Sequence, residues 1–253
     1  MVKVSDLVAE FLKEKQIEVV FGIIGSANSH IFDSISKLGY TKIINTHHEQ
    51  AAVMAMGAYY RASGKVSATI VTAGAGASNA VTGIVSNWAD SIPGIIISGN
   101  EGSQYIKDQE HLRMYGTQGF NIAKMVKDVT KWSHCLLDEH DIQHQLEISY
   151  QISNMDRKGP VLLDIPFDIQ SKVTTPRPWV PFKPTPNLHL KKGTEYIIEQ
   201  INKAKKPLIL GGNGVRLSDS KDKFNKFINH TKLPTTLTWS GIDLLESDND
   251  NFY

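Results

Sequence analysis

The apolar positions of the first sixty residues alternate between two periods. Leu7, Val8, Phe11 and Leu12 recur at i, i+1, i+4 and i+5, which is one face of a helix. Val19 to Ile24 follows as a short, mostly β-branched run, the kind buried in a parallel sheet. Gly25-Ser-Ala-Asn28 interrupts it, Ile31, Ile35 and Leu38 restore helical spacing, and Gly39 stands as a C-terminal stop. Lys42 to Thr46 reads as a strand and Glu49 to Ala62 as a buried helix rich in Ala and Met. Further on come a strand over Val66 to Thr72, a helix over Ala77 to Ala89 and a strand over Gly94 to Ser98. Residues 100–120 are polar and irregular and read as a long loop, a feature that is usually functional or mobile inside a compact domain. Asp141 to Met155 reads as a helix, and Val161 to Ile165 as a buried strand closed by Pro166. This alternation predicts an α/β fold, a parallel sheet with helices on both faces.

Five of the ten prolines fall between Pro176 and Pro186, a stretch that suits neither helix nor central strand. The expected organisation is a first domain over 1–172, a proline-rich linker over 173–190, and the start of a Rossmann-like second domain over 191–253. In that second part the pattern gives only two strands, Pro207 to Gly211 and Pro234 to Thr238, where a sheet typically has ~5–6. The expectation is an incomplete central domain and a longer natural polypeptide.

Composition narrows the picture. With 41% hydrophobic and 21% charged residues, the chain is neither disordered nor a coiled coil. A formal net charge of +1 gives no electrostatic reason to expect nucleic acid or an anionic membrane as partner. No apolar run approaches the ~20 residues of a spanning helix, and no signal peptide is evident. The single cysteine, Cys135, forbids an intrachain disulfide and fits a cytoplasmic location. It reads as a small buried hydrophobe.

The candidate chemistry lies at strand ends. Glu49 opens a helix directly after a strand. One reading makes it an ordinary first-turn acid favoured by the helix dipole, worth ~0.3–1 kcal/mol. The other places it in a site, since ligands of open α/β sheets bind beyond the carboxyl ends of the strands. Gly25-Ser26-Ala27 and Thr72-Ala73-Gly74-Ala75-Gly76 occupy two more such ends and leave the backbone open to a flat ring. Gly211-Gly-Asn-Gly214, after a later strand, reads either as a plain turn or as a seat for a dinucleotide phosphate. The histidines form no metal constellation, and no metal site is expected in this chain.

Several segments in order carry a resemblance: Phe21-Gly-Ile-Ile-Gly-Ser26, His48-Glu-Gln-Ala-Ala52, Gly57-Ala-Tyr-Tyr-Arg-Ala-Ser-Gly-Lys65, Thr72 to Gly83, Asp90-Ser-Ile-Pro93 to Gly99, and Gly159-Pro-Val-Leu-Leu-Asp-Ile-Pro166. Together they resemble the N-terminal, pyrimidine-binding domain of thiamine-diphosphate enzymes of the acetolactate synthase and 2-keto acid decarboxylase superfamily. Lys206 to Val215 resembles the opening of that family's central domain.

The resemblance implies roles. Glu49 matches the catalytic glutamate that hydrogen-bonds N1′ of the aminopyrimidine and so assists loss of the C2 proton from the thiazolium. The implied cofactor-binding set is Gly25, Ser26, Glu49, Thr72, Gly74, Gly76, Asn79 and Gln118. Gln118 has a second reading as a solvated loop residue. Two departures stand out: Ile24-Gly25-Ser26 where the family often has Pro-Gly-Gly, and Ala73-Gly-Ala-Gly76 where it often has Ser-Gly-Pro-Gly. No Gly-Asp-Gly occurs, so the ligands of the diphosphate and Mg²⁺ are expected in a domain absent from this chain. The implied function is decarboxylation or carboligation of 2-keto acids, by an acetolactate-synthase-like transferase or a 2-keto acid decarboxylase, a lyase. These 253 residues alone are expected to be inactive. The other reading is a non-catalytic or split-enzyme subunit that needs a diphosphate-binding partner chain. FAD is an optional cofactor on the same resemblance, and the expected assembly is a homodimer or homotetramer. A Rossmann-type dinucleotide binder fits less well, because no Gly-x-Gly-x-x-Gly follows the first strand.

Overall fold

The computed structural model describes residues 1–109, 111–182 and 190–253. The chain forms two compact units, Met1–Pro184 and Thr185–Tyr253.

The first unit is built on six strands: β2 (Val19–Gly22), β3 (Lys42–Asn45), β4 (Ala68–Val71), β5 (Gly94–Asn100), β6 (Trp132–Cys135) and β7 (Pro160–Pro166). A two-residue β1 (Val2–Lys3) precedes them, and β8 (Val173–Thr174) follows. The six pair in the order β3-β2-β4-β5-β7-β6, every pair parallel. Between them run α1 (Val4–Glu14), α2 (Ser29–Leu38), α3 (Glu49–Ser63), α4 (Ala75–Asn79), α5 (Val81–Ala89), α6 (Ser103–Gln109), α7 (Ile122–Met125), α8 (Ile142–Asn154) and α9 (Phe167–Ser171). The α/β parallel sheet read from the hydrophobic pattern is therefore the observed fold.

Strand side chains alternate between faces, and two cores result. Ile95 and Ile97 of β5, with Val161, Leu163 and Ile165 of β7, pack with Leu7, Phe11 and Leu12 of α1, Ile31 of α2 and Leu146 of α8. Ile96 and Leu162 point the other way, toward Val53 and Met56 of α3 and Ile84 of α5. β5 and β7 are buried along their whole length, which is why they read as continuous apolar runs.

Three elements differ from the pattern-based expectation. The helix expected over Ala77 to Ala89 begins at Ala75 and is jointed at Ala80 into α4 and α5. The expected loop 100–120 contains α6. β6 was not foreseen: Trp132-Ser-His-Cys135 is a half-buried edge strand with no apolar run to mark it. Residues 173–182, expected within the linker, lie against the first unit. β8 pairs antiparallel with β1, the Arg177 amide donates to Gln143 Oε1 at 2.7 Å, and Trp179 packs on Phe11 with ring centroids 5.4 Å apart. Prolines forbid a helix there, yet leave Trp179 free to cover apolar surface.

The second unit contains α10 (Leu190–Lys203), β9 (Ile209–Gly211), α11 (Gly214–Leu217), α12 (Lys221–Thr231) and β10 (Thr235–Leu237). β9 and β10 pair in parallel. Ile228, Leu244 and Leu245 are buried in this unit. Among the described residues no helix is long and apolar enough to cross a membrane.

Candidate functional site

Three strands, β2, β3 and β4, release the chain side by side at their carboxyl ends, where the strand order turns back on itself. After β2 the chain turns over Gly25–Asn28. Asn28 is fully buried and holds this turn: its Oδ1 accepts from the Gly25 amide at 2.8 Å, and its Nδ2 donates to the Ile23 carbonyl at 3.0 Å. Such self-bonded Asn turns are common, and Asn28 went unmarked in the sequence for that reason. The turn lies against the end of β4. A Cβ on Gly25 would stand 2.6 Å from Thr72 Oγ1, and that same oxygen accepts from the Ala27 amide at 3.3 Å.

After β3 the chain enters α3, capped by His48, whose Nδ1 accepts from the Gln50 amide at 3.2 Å. Glu49 is the first helical residue and only 9% exposed. Its Oε2 accepts from Asn79 Nδ2 at 3.0 Å, across from α4. Its Oε1 takes no hydrogen bond from the described residues. That oxygen faces Gly76: a Cβ there would come within 3.0 Å of it and 2.6 Å of Thr72 Cγ2. The helix dipole favours an acid at this position, so the plain first-turn reading is physically satisfied. It does not account for the placement of Oε1, which has no protein partner among the described residues and faces the space over Gly76.

Gly74 begins the last segment of the site. It adopts φ +64°, a conformation that glycine tolerates and L side chains rarely adopt. A Cβ here would stand 2.9 Å from the Gln118 carbonyl oxygen. The fold thus brings Gly25, Thr72, Gly76, Glu49 and Asn79 into one neighbourhood, with Gln118 reaching it over Gly74. Ser26 stands apart: it is exposed, and only its carbonyl is engaged, by the Ser29 hydroxyl at 3.4 Å.

Behind the strand ends lies a polar group that the sequence did not announce. Asp164, within the apolar run of β7, accepts from Ser98 Oγ at 2.7 Å and from Asn100 Nδ2 at 2.5 Å. Burial pushes its carboxyl up to about 7, while the hydrogen bonds from Ser98 and Asn100 pull the other way. Cys135 is half-buried, and burial together with the Asp164 charge pushes its thiol well up.

The family profile described as thiamine pyrophosphate enzyme, N-terminal TPP binding domain, matches residues 2–125. The profile of the central domain of the same enzymes matches residues 194–253. The chain is 31% identical to the acetolactate synthase large subunit of Haemophilus influenzae, over 98% of its own length and 43% of that protein's. It is 30% identical to the chloroplastic acetolactate synthase of Arabidopsis thaliana, over 98% of its own length and 37% of the relative's. It is 29% identical to the large subunit of Lactococcus lactis, over 95% and 42% respectively. The chain spans about two fifths of the length of these curated relatives. It belongs to the thiamine pyrophosphate enzyme family, with sequence of the N-terminal TPP-binding domain followed by sequence of the central domain.

Proposed function

We propose that the first domain, 1–172, binds the aminopyrimidine of thiamine diphosphate in a protein that acts on 2-keto acids, as the names of the acetolactate synthases imply. One observation carries the reading: the free Oε1 of buried Glu49 faces the space left by the missing side chain of Gly76. A ring nitrogen fits this cradle, and any Cβ would fill it. Thiamine diphosphate, when bound, supplies the electron sink for decarboxylation or carboligation.

The chain's own residues do the rest. Glu49 holds a proton at N1′ of the ring through Oε1. Asn79 fixes the other oxygen, so the carboxylate keeps one orientation. Gly25, Thr72, Gly74 and Gly76 form the shelf, Gln118 closes over Gly74, and exposed Ser26 stands outside it. A buried carboxylate with a free oxygen supports an enzyme over a scaffold, which has no use for it.

The resemblance also assigns the Mg²⁺ and diphosphate anchors to a domain outside this chain and leaves FAD optional; the single cysteine supports a cytoplasmic location. Residues 173–190 and 191–253 are assigned to a linker and to central-domain sequence. A homodimer or homotetramer is supported by Met54 on α3 and by Val85 and Trp88 on α5, exposed by 41%, 43% and 39%. These are large apolar side chains on neighbouring helices.

The test is Glu49→Gln in the full native protein. General acid–base terms are typically worth 10²–10⁴ in rate, so C2–H/D exchange of bound cofactor falls at least ~100-fold. Equal exchange rates in both proteins would leave only the first-turn reading of Glu49.

A further inference from the structure

The turn that carries Gln118 is held from inside by a carboxylate for which the proposed thiamine chemistry has no use. Tyr115 and Gly119 exchange two backbone hydrogen bonds, at 3.0 and 2.9 Å. Between them, the amides of Thr117 and Gln118 both donate to Glu101 Oε1, at 3.2 and 3.1 Å. Two amides converging on one anionic oxygen make a small nest, and hydrogen bonds to a charged acceptor are stronger than neutral ones.

Two glycines make room for that carboxylate. Gly116 has φ +58°, and a Cβ on it would stand 2.8 Å from the Glu101 carboxyl group. A Cβ on Gly119 would stand 2.7 Å from Glu101 Cγ and 2.5 Å from the Tyr115 ring. Both glycines of this turn are thus without side chains where Glu101 occupies the interior.

Glu101 is in turn tied to the sheet. Its amide donates to Asn100 Oδ1 at 2.9 Å, at the last residue of β5. Asn100 Nδ2 donates to Asp164 Oδ2 at 2.5 Å, to the Phe120 carbonyl at 3.2 Å and to Tyr115 Oη at 3.3 Å. An unbroken set of hydrogen bonds therefore runs from buried Asp164 through Asn100 and Glu101 to the Gln118 amide. Gln118 in turn packs on Gly74.

We propose that Glu101 is a positioning residue: its carboxylate fixes the 115–119 turn so that Gln118 lies over Gly74, at the edge of the thiamine site. The inference rests on the reading of Gln118 as a site residue. The sequence offered no signal for it, because Glu101 and its acceptor role meet only once the loop is folded.

The experiment uses the full native protein as wild type, Glu101→Ala, Glu101→Gln, Gln118→Ala and the Glu101→Ala/Gln118→Ala double variant. Amide hydrogen exchange at Thr117 and Gln118 is expected to quicken about tenfold or more in Glu101→Ala, with β5 amides unchanged. Glu101→Gln keeps an acceptor at the same place and restores most of the protection. Thiamine diphosphate affinity, measured by calorimetry with Mg²⁺ present, falls similarly in Glu101→Ala and Gln118→Ala. It falls no further in the double variant, since both changes disable one unit. Unchanged exchange at both amides in Glu101→Ala overturns the proposal, as do fully additive losses in the double variant. Quickened exchange beside a wild-type affinity in Gln118→Ala sinks the site reading of Gln118, and the positioning role with it, while leaving the anchoring itself intact.

Discussion

Two glycine turns in this chain look alike as sequence and differ as structure. Thr72-Ala-Gly-Ala-Gly76 follows β4, and Gly211-Gly-Asn-Gly214 starts at the last residue of β9; each leads from a parallel strand into a helix. In the first, the glycines answer to their surroundings. Gly74 needs its positive φ, and Gly76 leaves space beside the free oxygen of Glu49. In the second, no glycine has a positive φ; a Cβ on Gly211 would press only on the apolar side chains of Leu237 and Phe224, at 2.8 Å, and one on Gly214 would meet nothing within 4 Å. Its polar groups are engaged locally: Arg216 donates to Asn213 Oδ1 at 2.7 Å and to the Ser240 carbonyl at 2.9 Å, and pairs with Asp243. A glycine turn is informative through what a side chain would strike there, and that is a property of residues distant in sequence.

The sharpest way to break the comparison is Gly76→Val. The added carbons fall where Thr72 and Glu49 already stand. Overpacking typically costs 1–3 kcal/mol, so urea unfolding should show a loss in that range. Thiamine diphosphate affinity of the full protein should fall at least ~10-fold from the blocked shelf alone. Undiminished affinity would remove Gly76 from the site. Gly74→Ala comes next. Strain at such a backbone conformation costs of order 1–3 kcal/mol, and the methyl also presses on Gln118, so a loss of about 2 kcal/mol is expected by the same measurement. Arg216→Ala, in the second turn, should cost only about 1 kcal/mol. Its ion pair with Asp243 is solvent-exposed, and exposed pairs contribute ~0–1 kcal/mol. A loss above ~3 kcal/mol, the range of a broken buried pair, would mean that this turn is as constrained as the first.

The sequence made the scaffold legible because burial on both faces writes a strand as an unbroken apolar run. The four inner strands, β2, β4, β5 and β7, carry such a run. The edge strands β3 and β6 are only partly buried; Ile43-Ile44 still marks β3, whereas β6 has no apolar run to mark it. Glu49 was legible from its position at a strand end, and Gly25, Gly74 and Gly76 from their places in the turns. The partners that give these residues meaning were legible only through family likeness or not at all. Asn79 lies 30 residues from Glu49, and Asp164 lies 66 residues from Ser98. Glu101 sits in a polar stretch where nothing distinguishes an anchor from a solvated acid. Local pattern reports what a residue is next to in the chain, and these contacts are made by the crossover connections of a parallel sheet.

Gly214→Ala is the smallest expected effect and the cleanest control for the comparison. Gly214 is the first residue of α11, its φ is not positive, and open space surrounds the position of a Cβ. The native backbone there is one that alanine adopts freely. Alanine also narrows the unfolded ensemble, so the folded state should gain about 0.5 kcal/mol. The measurement is the urea midpoint of the full protein, with an unchanged slope. If the second turn instead resembles the first, so that its glycine leaves room for a close-approaching ligand, stability still rises while affinity for that ligand falls. Titrating FAD into both proteins reads this directly. Equal behaviour toward FAD, with the small gain in stability, assigns Gly214 to the turn alone. A loss of stability would show that the space around this residue is not open, and the contrast between the two turns would fail at its base.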